Sequence, residues 1–237
     1  MKQERSFYRD EARSRLVGRY GEVILYTIIV AVITGIITSL TDTFRPEIQN
    51  GVIVDQGIPA LVVLFIFSAI SFLVSAGITY STTSLYIDVA DGGEFEIFEK
   101  LKSGFVEEYG RNIVLVFMEG LFIFLWSLLL VIPGIIKSYA YNMSMYLAVK
   151  DRTLGGVDAI TKSKNMMNGN KSDLFLLDLS YIGWYLLSIL TLGILLLWVI
   201  PRHQTARTLF FNEIYYGSID YKPEVEEEKV VEEEALF

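Results

Sequence analysis

Several residue types that commonly carry chemistry are missing or scarce among the 237 residues of this chain. Cysteine is absent, which excludes disulfides, thiolate metal sites and cysteine nucleophiles. His203 is the single histidine, so a metal site built from several histidines is excluded as well. Phosphate loops, dinucleotide-binding glycine motifs and Ser-His-Asp arrangements are also missing. We therefore expect no metal, no cofactor and no enzymatic activity.

Apolar residues, by contrast, are abundant and lie in long runs. They make up 52% of the chain, above the roughly 45–50% of an ordinary soluble protein. A run of about 20 apolar residues is long enough to cross a bilayer as a helix. The predicted fold class is all-α, a six-span transmembrane helical bundle built of hairpins with short amphipathic surface helices. The predicted spans are 22–40, 59–84, 111–131, 134–149, 173–190 and 194–215, and the surface helices fall within 1–20, 95–105 and 157–169.

The chain divides into three regions. A cytoplasmic N-terminal amphipathic segment at 1–21 precedes a six-span membrane domain at 22–217 and a disordered acidic tail at 218–237. The tail holds eight acidic residues and two lysines, with too few apolar residues to form a core. Lysine and arginine concentrate in the N-terminal segment and in the loops after spans two and four, which is typical of the cytoplasmic side. We expect a multi-pass protein of the cell membrane with both termini cytoplasmic.

Turn-forming residues divide the C-terminal half into two hairpins. Pro133 and Gly134 interrupt one long apolar run, and Gly193 interrupts the next. We interpret these three residues as hairpin turns and Pro201 as a helix kink in span six. A single long span over 174–200 is the alternative to the second hairpin, because the turn signal around Gly193 is weak.

The hairpins also indicate an internal repeat. An offset of 59 residues superposes Gly134 on Gly193, and Tyr20-Gly21-Glu22 gives a fainter echo in Tyr109-Gly110-Arg111. The predicted unit is a surface helix followed by a membrane hairpin, used three times in the same orientation.

Charged residues inside the predicted spans share a depth. Glu119 and Asp178 each lie fifteen residues before the turn of their hairpin, and Arg207 lies fourteen after the turn. At about 1.5 Å per residue, all three are roughly 22 Å below the outer turns. With Arg202, which is nearer to mid-membrane, they form the predicted intramembrane charged cluster. An unpaired charge there costs roughly 2.5–3.5 kcal/mol, so we expect Asp178 to pair with Arg207 and Glu119 to be a proton or ligand site. A purely structural ion pair that fixes helix register is the alternative.

Long segments resemble a known family. The segments LLVIPGIIKSYAYNMSMYLAVKD and GVDAITKSKNMMNGNKSDLFLLDLSYIGWYLLSILTLGILLLWVIP, with EARSRLVGRYG near the N-terminus, are similar to a bacterial integral membrane family known only as domain of unknown function 975. That family is distantly similar to the membrane region attached to some glycerophosphodiester phosphodiesterases. The resemblance implies a helical membrane fold and little chemistry. Two departures stand out, Pro201-Arg202 where Pro-Tyr is usual and Gly169-Asn170-Lys171 where Gly-His-Lys is usual.

Two functional hypotheses follow. The leading one is a non-enzymatic membrane protein that binds or moves a lipid or small amphiphile through a polar inner cleft. The alternative is a membrane-anchored scaffold that recruits a partner through its surface helices and acidic tail. An intramembrane hydrolase is disfavoured by the single histidine and the missing cysteine. The expected partners are membrane lipids and a protein partner or second copy of the chain, and no nucleic acid.

Overall fold

The computed structural model describes residues 4–43, 48–49, 52–53 and 57–217 of the chain. The acidic tail predicted at 218–237 lies outside the described residues, as do the first three residues of the N-terminal segment.

The described residues are almost entirely helical, as the sequence predicts. Two short strands, β1 and β2, pair in antiparallel fashion between the first two long helices. The helices are α1 (Arg5–Arg15), α2 (Tyr20–Thr43), α3 (Gly57–Asp91), α4 (Ile97–Val106), α5 (Tyr109–Leu129), α6 (Val131–Tyr141), α7 (Ser144–Lys150), α8 (Gly156–Met166), α9 (Lys171–Leu190) and α10 (Leu196–Tyr216), and the strands are β1 (Ile48–Gln49) and β2 (Val52–Ile53).

Four helices are long and apolar enough to cross a membrane. They are α2, α5 and α9, together with the Leu61–Asp91 part of α3. Each is at least 20 residues long, about the length that a bilayer core requires. These helices make the chain a helical membrane protein.

The long helices pack as a ring that follows the chain. Each contacts its successor in the order α2, α3, α5, α6, α9 and α10, and α10 closes the ring by returning to α2. Helices α3 and α10 also pack against each other across the ring. Helix α1 packs on α10, and α8 packs on α5, α6 and α7. This arrangement brings the polar faces of α5, α6, α7, α9 and α10 toward one another.

The two ends of the bundle differ in burial. Side chains at one end are largely buried, whereas the other end exposes apolar side chains on its outer surface. In α3, the half that follows Ala76 is largely buried, whereas Phe65 in the first half is 75% exposed. The α9–α10 connection exposes Leu192 to 94%, and the α5–α6 connection exposes five consecutive apolar residues from Leu128 to Ile132. Exposed apolar surface of this extent suits contact with lipid rather than water.

The first hairpin turn lies three residues earlier than predicted. The chain breaks at Leu130, which has an extended backbone, and Pro133 and Gly134 lie inside α6 instead of at the turn. Pro133 is in the first turn of α6. The backbone N–H groups of a first turn have no carbonyl partner within the helix, so the N–H that proline lacks costs little here. Gly134 permits close packing, since a Cβ there would approach the Ser127 Cα to 2.9 Å and its Oγ to 2.1 Å.

The second hairpin turn is where the sequence predicts it. Helix α9 ends at Leu190, α10 begins at Leu196, and the two helices pack against each other. Gly193 has a φ of 85°, which a residue without a Cβ adopts at little cost. The alternative of one continuous span over 174–200 is therefore wrong. Pro201 lies within α10, which continues past it to the end of the helix.

The predicted fourth span is broken in its middle. Helix α6 ends at Tyr141 and α7 begins at Ser144. The Ser163 hydroxyl on α8 bridges this break, because it donates to the Ala140 carbonyl at 2.9 Å and accepts from the Met143 N–H at 3.2 Å. Both bonds replace helix hydrogen bonds that the break removes, so α8 is a structural support as well as an amphipathic helix.

The three predicted repeat units share the order of their helices and a residue of positive φ between the first helix and the next. Each consists of a short helix (α1, α4 or α8) followed by long helices. A residue with positive φ joins the short helix to the next long one in all three units: Gly18 at 83°, Glu108 at 48° and Gly169 at 79°. A left-handed backbone residue at this position is therefore common to the three units.

Candidate functional site

The Asp178 carboxylate on α9 is the centre of a polar cluster. It lies 2.8 Å from His203 Nε2, and its other oxygen accepts a hydrogen bond from the Tyr139 hydroxyl at 3.0 Å. The Arg207 Nε lies 3.3 Å from it on the same helix as His203. The structure thus brings together two residues of the predicted cluster, Asp178 and Arg207, and adds a tyrosine from α6 and the single histidine.

His203 has a defined place in this cluster. Its side chain is buried, its ring stacks on Tyr181 at 4.6 Å between centroids, and its Nδ1 lies 2.8 Å from the Tyr185 hydroxyl. A carboxylate only accepts hydrogen bonds, so the Nε2 that faces Asp178 carries a proton. A neutral His203 then accepts from Tyr185 at Nδ1. This pattern orients the ring and leaves no ring nitrogen without a partner.

Arg207 contacts two elements besides its own helix. One terminal nitrogen donates to Asn142 Oδ1 at 2.6 Å, at the break between α6 and α7. The Nε is buried and, although it lies close to Asp178, makes no aligned hydrogen bond within the described residues. The predicted pairing of Arg207 with Asp178 is therefore a charge attraction at 3.3 Å without an aligned hydrogen bond from Nε. Arg207 joins α9 to the broken helix.

Glu119 stands apart from this pair. It accepts a hydrogen bond from the Ser144 hydroxyl at 2.6 Å, and no cation within the described part of the chain forms an ion pair with it. Its helix, α5, packs against α3, α6, α7 and α8, whereas α9 and α10 pack against each other. Within the described residues α5 is thus not extensively packed on α9 or α10, and α6, which contacts both α5 and α9, lies between them.

Glu119 and Arg207 nevertheless line the same cavity, of about 230 Å³. Its wall combines two charges and several hydroxyl and amide groups with apolar side chains. Asp178 is not among the lining residues. The lining consists of Thr79, Thr82, Thr83, Tyr86, Glu119, Asn142, Met145, Tyr146, Gln204, Arg207, Thr208 and Phe211.

Arg202 does not belong to the cluster, contrary to the prediction. Its Nε donates to the Tyr20 hydroxyl at 2.7 Å, at the first residue of α2, and its guanidinium lies 5.6 Å from the centre of the Tyr20 ring. The reason is helical geometry, since adjacent residues such as Arg202 and His203 point about 100° apart around the axis. His203 points to Asp178, and Arg202 consequently points toward α1 and α2.

A second polar network joins the ends of α3 and α7 to α10, and sequence reasoning missed it. Asp91 at the end of α3 accepts from Lys150 at 2.5 Å and from Asn212 at 2.7 Å. The Asn212 side chain in turn accepts from the Tyr146 hydroxyl at 2.5 Å. Asp91 lies directly before Gly92 and Gly93. Its position one residue before two glycines was the available signal that it ends a helix beside other chain ends.

Fold and site together define a helical membrane protein with a polar cavity between its helices. Residues 128–217 match the model of a family described as Protein of unknown function (DUF975). The match supports the resemblance to that family over the part of the chain that runs from α6 through α10. No curated protein and no solved structure matches the chain. The more distant similarity to phosphodiesterase membrane regions stays a prediction.

Proposed function

We propose that the chain crosses a bacterial cell membrane six times, with both termini in the cytoplasm. Helix α10 and the broken pair α6–α7 complete a ring whose other members are the four apolar helices. Their lower hydropathy has a physical reason, because their polar residues, such as Tyr139, His203 and Arg207, face other helices. Their outward residues stay apolar, as Ile135 and Ile136 do at 50% exposure each. Polar residues of a membrane helix face the bundle interior in this way.

The proposed function is non-enzymatic binding or movement of a lipid or small amphiphile through the cavity beside Glu119. The observation that carries it is that Glu119 and Arg207 line one cavity without pairing with each other. Thr83, Gln204 and Thr208 add polar groups to the same wall. Such a lining suits a headgroup that carries charge and hydrogen-bonding atoms.

The two carboxylates have different parts in this proposal. Asp178 already has Arg207, His203 and Tyr139, so it is the structural acid that holds α6, α9 and α10 together. Within the described ranges, Glu119 has only the neutral Ser144 hydroxyl as a hydrogen-bond partner. A buried charge without a cation is costly in an apolar surrounding, and a cationic or hydrogen-bond-donating headgroup would offset that cost. Glu119 is therefore the proposed ligand-binding acid.

Apolar side chains complete the site. Met145 and Phe211 line the cavity beside the polar groups. Methionine adapts to different apolar shapes, and aromatic rings supply contact area. A ligand with a polar head and an apolar portion fits this combination better than a free ion does.

Native mass spectrometry of the protein purified in mild detergent tests the proposal. The wild-type protein should retain an amphiphile as a defined additional mass. Glu119→Gln should lose most of it, because the amide cannot supply the negative charge. Glu99→Gln, on the exposed side of α4, removes a similar charge away from the cavity and should retain the ligand as the wild type does.

Two results would overturn the proposal. One is a wild-type protein that carries no amphiphile when gently purified. The other is equal retention by Glu119→Gln and the wild type. Recovery of a stoichiometric protein partner in place of a lipid would favour the scaffold alternative, whose acidic tail lies outside the described residues.

A further inference from the structure

A second cavity, also of about 230 Å³, lies between α1 and the α9–α10 hairpin. It shares no lining residue with the cavity beside Glu119. Three arginines contribute to it, Arg9 and Arg13 from α1 and Arg202 from α10, against the single acid Asp10. Residues from both ends of the chain thus build one strongly basic wall.

These arginines are available for an anion. Neither Arg9 nor Arg13 forms an ion pair with any residue in the described ranges, and both side chains are exposed. Arg202 uses its Nε for Tyr20, while its two terminal nitrogens have no hydrogen-bond partner in the described part of the chain. A guanidinium whose terminal nitrogens are free can bind phosphate oxygens in a fork geometry.

The other wall of the cavity is apolar and aromatic. Trp184 and Trp198 line it and are 47% and 42% exposed, and Leu195 lies beside them. Tryptophan is enriched where membrane and water meet, because its ring is mostly apolar and its N–H is polar. A small soluble anion would leave this wall uncovered, whereas a lipid would place its phosphate on the arginines and its glycerol and chains on the tryptophans.

We propose that this cavity is a binding site for an anionic phospholipid, formed by Arg9, Arg13 and Arg202 with Trp184 and Trp198. A net positive lining favours a headgroup of net negative charge over a zwitterionic one. The bound lipid would also join α1 to the α9–α10 hairpin. This site is independent of the function proposed for the cavity beside Glu119.

A competition between two lipids tests the site. We would titrate phosphatidylglycerol and phosphatidylcholine into detergent-solubilised wild-type protein and count bound lipids by native mass spectrometry. Phosphatidylglycerol should bind more tightly, and the double variant Arg9→Gln/Arg13→Gln should weaken it roughly tenfold or more. The matched control, Arg5→Gln/Arg15→Gln, removes the same charge from the same helix outside this cavity and should keep the preference. Glu119→Gln should keep it too, which separates the two proposed sites.

A spectroscopic measurement locates the lipid. Trp126→Phe leaves Trp184 and Trp198 as the only tryptophans, and brominated lipid chains quench nearby tryptophan fluorescence. Brominated phosphatidylglycerol should quench this variant more than brominated phosphatidylcholine, and adding Arg202→Gln should remove the difference. Equal binding of both lipids, an equal loss in the Arg5/Arg15 control, or quenching that does not depend on the headgroup would each overturn the proposal.

Discussion

Asp178 and His203 lie 2.8 Å apart across the α9–α10 hairpin, at positions that correspond by the repeat to Glu119 and Ser144. Glu119 and Ser144 are themselves bonded at 2.6 Å across the preceding hairpin. The step between units is 59 residues for the acid and 59 for its partner. The last two of the three units therefore each carry one acid bonded to the second helical segment of the same hairpin, and within the described residues only the later of the two adds an arginine. That difference separates a structural acid from an acid with room for a ligand.

The Asp178–Arg207 pair should show strong energetic coupling. Arg207→Met alone leaves the partly buried Asp178 without its cation, and we expect it to destabilise the protein by up to roughly 3–5 kcal/mol, the range for a buried ion pair. Arg207→Met combined with Asp178→Asn should destabilise it less than Arg207→Met alone. Thermal unfolding in detergent of both single variants and the double variant gives the coupling. Additive losses would show that the contact contributes nothing of its own.

The close approach of α5 and α6 should depend on Gly134. Gly134→Ala places a Cβ against the Ser127 backbone, so the helices must separate and the melting temperature should fall. Gly120→Ala in α5 is the matched control, because a Cβ there meets nothing within 4 Å. That change should be neutral or stabilising by up to about 1 kcal/mol, since alanine favours helix over glycine. A tolerated Gly134→Ala would mean that the two helices are further apart than described.

The break between α6 and α7 should depend on the Ser163 hydroxyl. Ser163→Ala leaves the Ala140 carbonyl and the Met143 N–H without their buried partner, and should cost roughly 1–3 kcal/mol. Thr161→Ala, on the exposed side of α8, removes a hydroxyl that bonds only within its own helix and should have little effect. Equal losses from the two changes would contradict the proposed support of the break.

The six-span topology can be tested by labelling single introduced cysteines, because the natural chain has no cysteine. Leu192→Cys in the α9–α10 turn should react with a membrane-impermeant maleimide in intact cells. Thr153→Cys, in the exposed connection before α8, should react only after permeabilisation. The opposite pattern would invert the topology, and labelling of both sites from outside would rule out six spans.

Sequence spacing predicted much of the fold but only part of the site. Counting residues from a turn gives depth, and depth was enough to pair Asp178 with Arg207. Counting residues does not show which neighbouring helix a side chain faces. The prediction therefore places Arg202 in the charged cluster, whereas the structure places it beside Tyr20. The sequence does not predict the break after Tyr141 either, because the backbone groups at the break are satisfied by Ser163, which lies in a distant segment of the chain. The sequence around the break contains neither proline nor glycine to signal it.

Photo-crosslinking with a lipid that carries a reactive group in its headgroup tests the central claim most directly. If the cavity beside Glu119 holds an amphiphile, peptide mapping should find the label on Thr83, Met145 and Gln204, which come from three different helices and line this cavity together. Glu119→Gln should lose that label and keep labelling at Arg9 and Arg13. Label confined to the outer apolar faces, with none on the residues that line the cavity, would contradict the account.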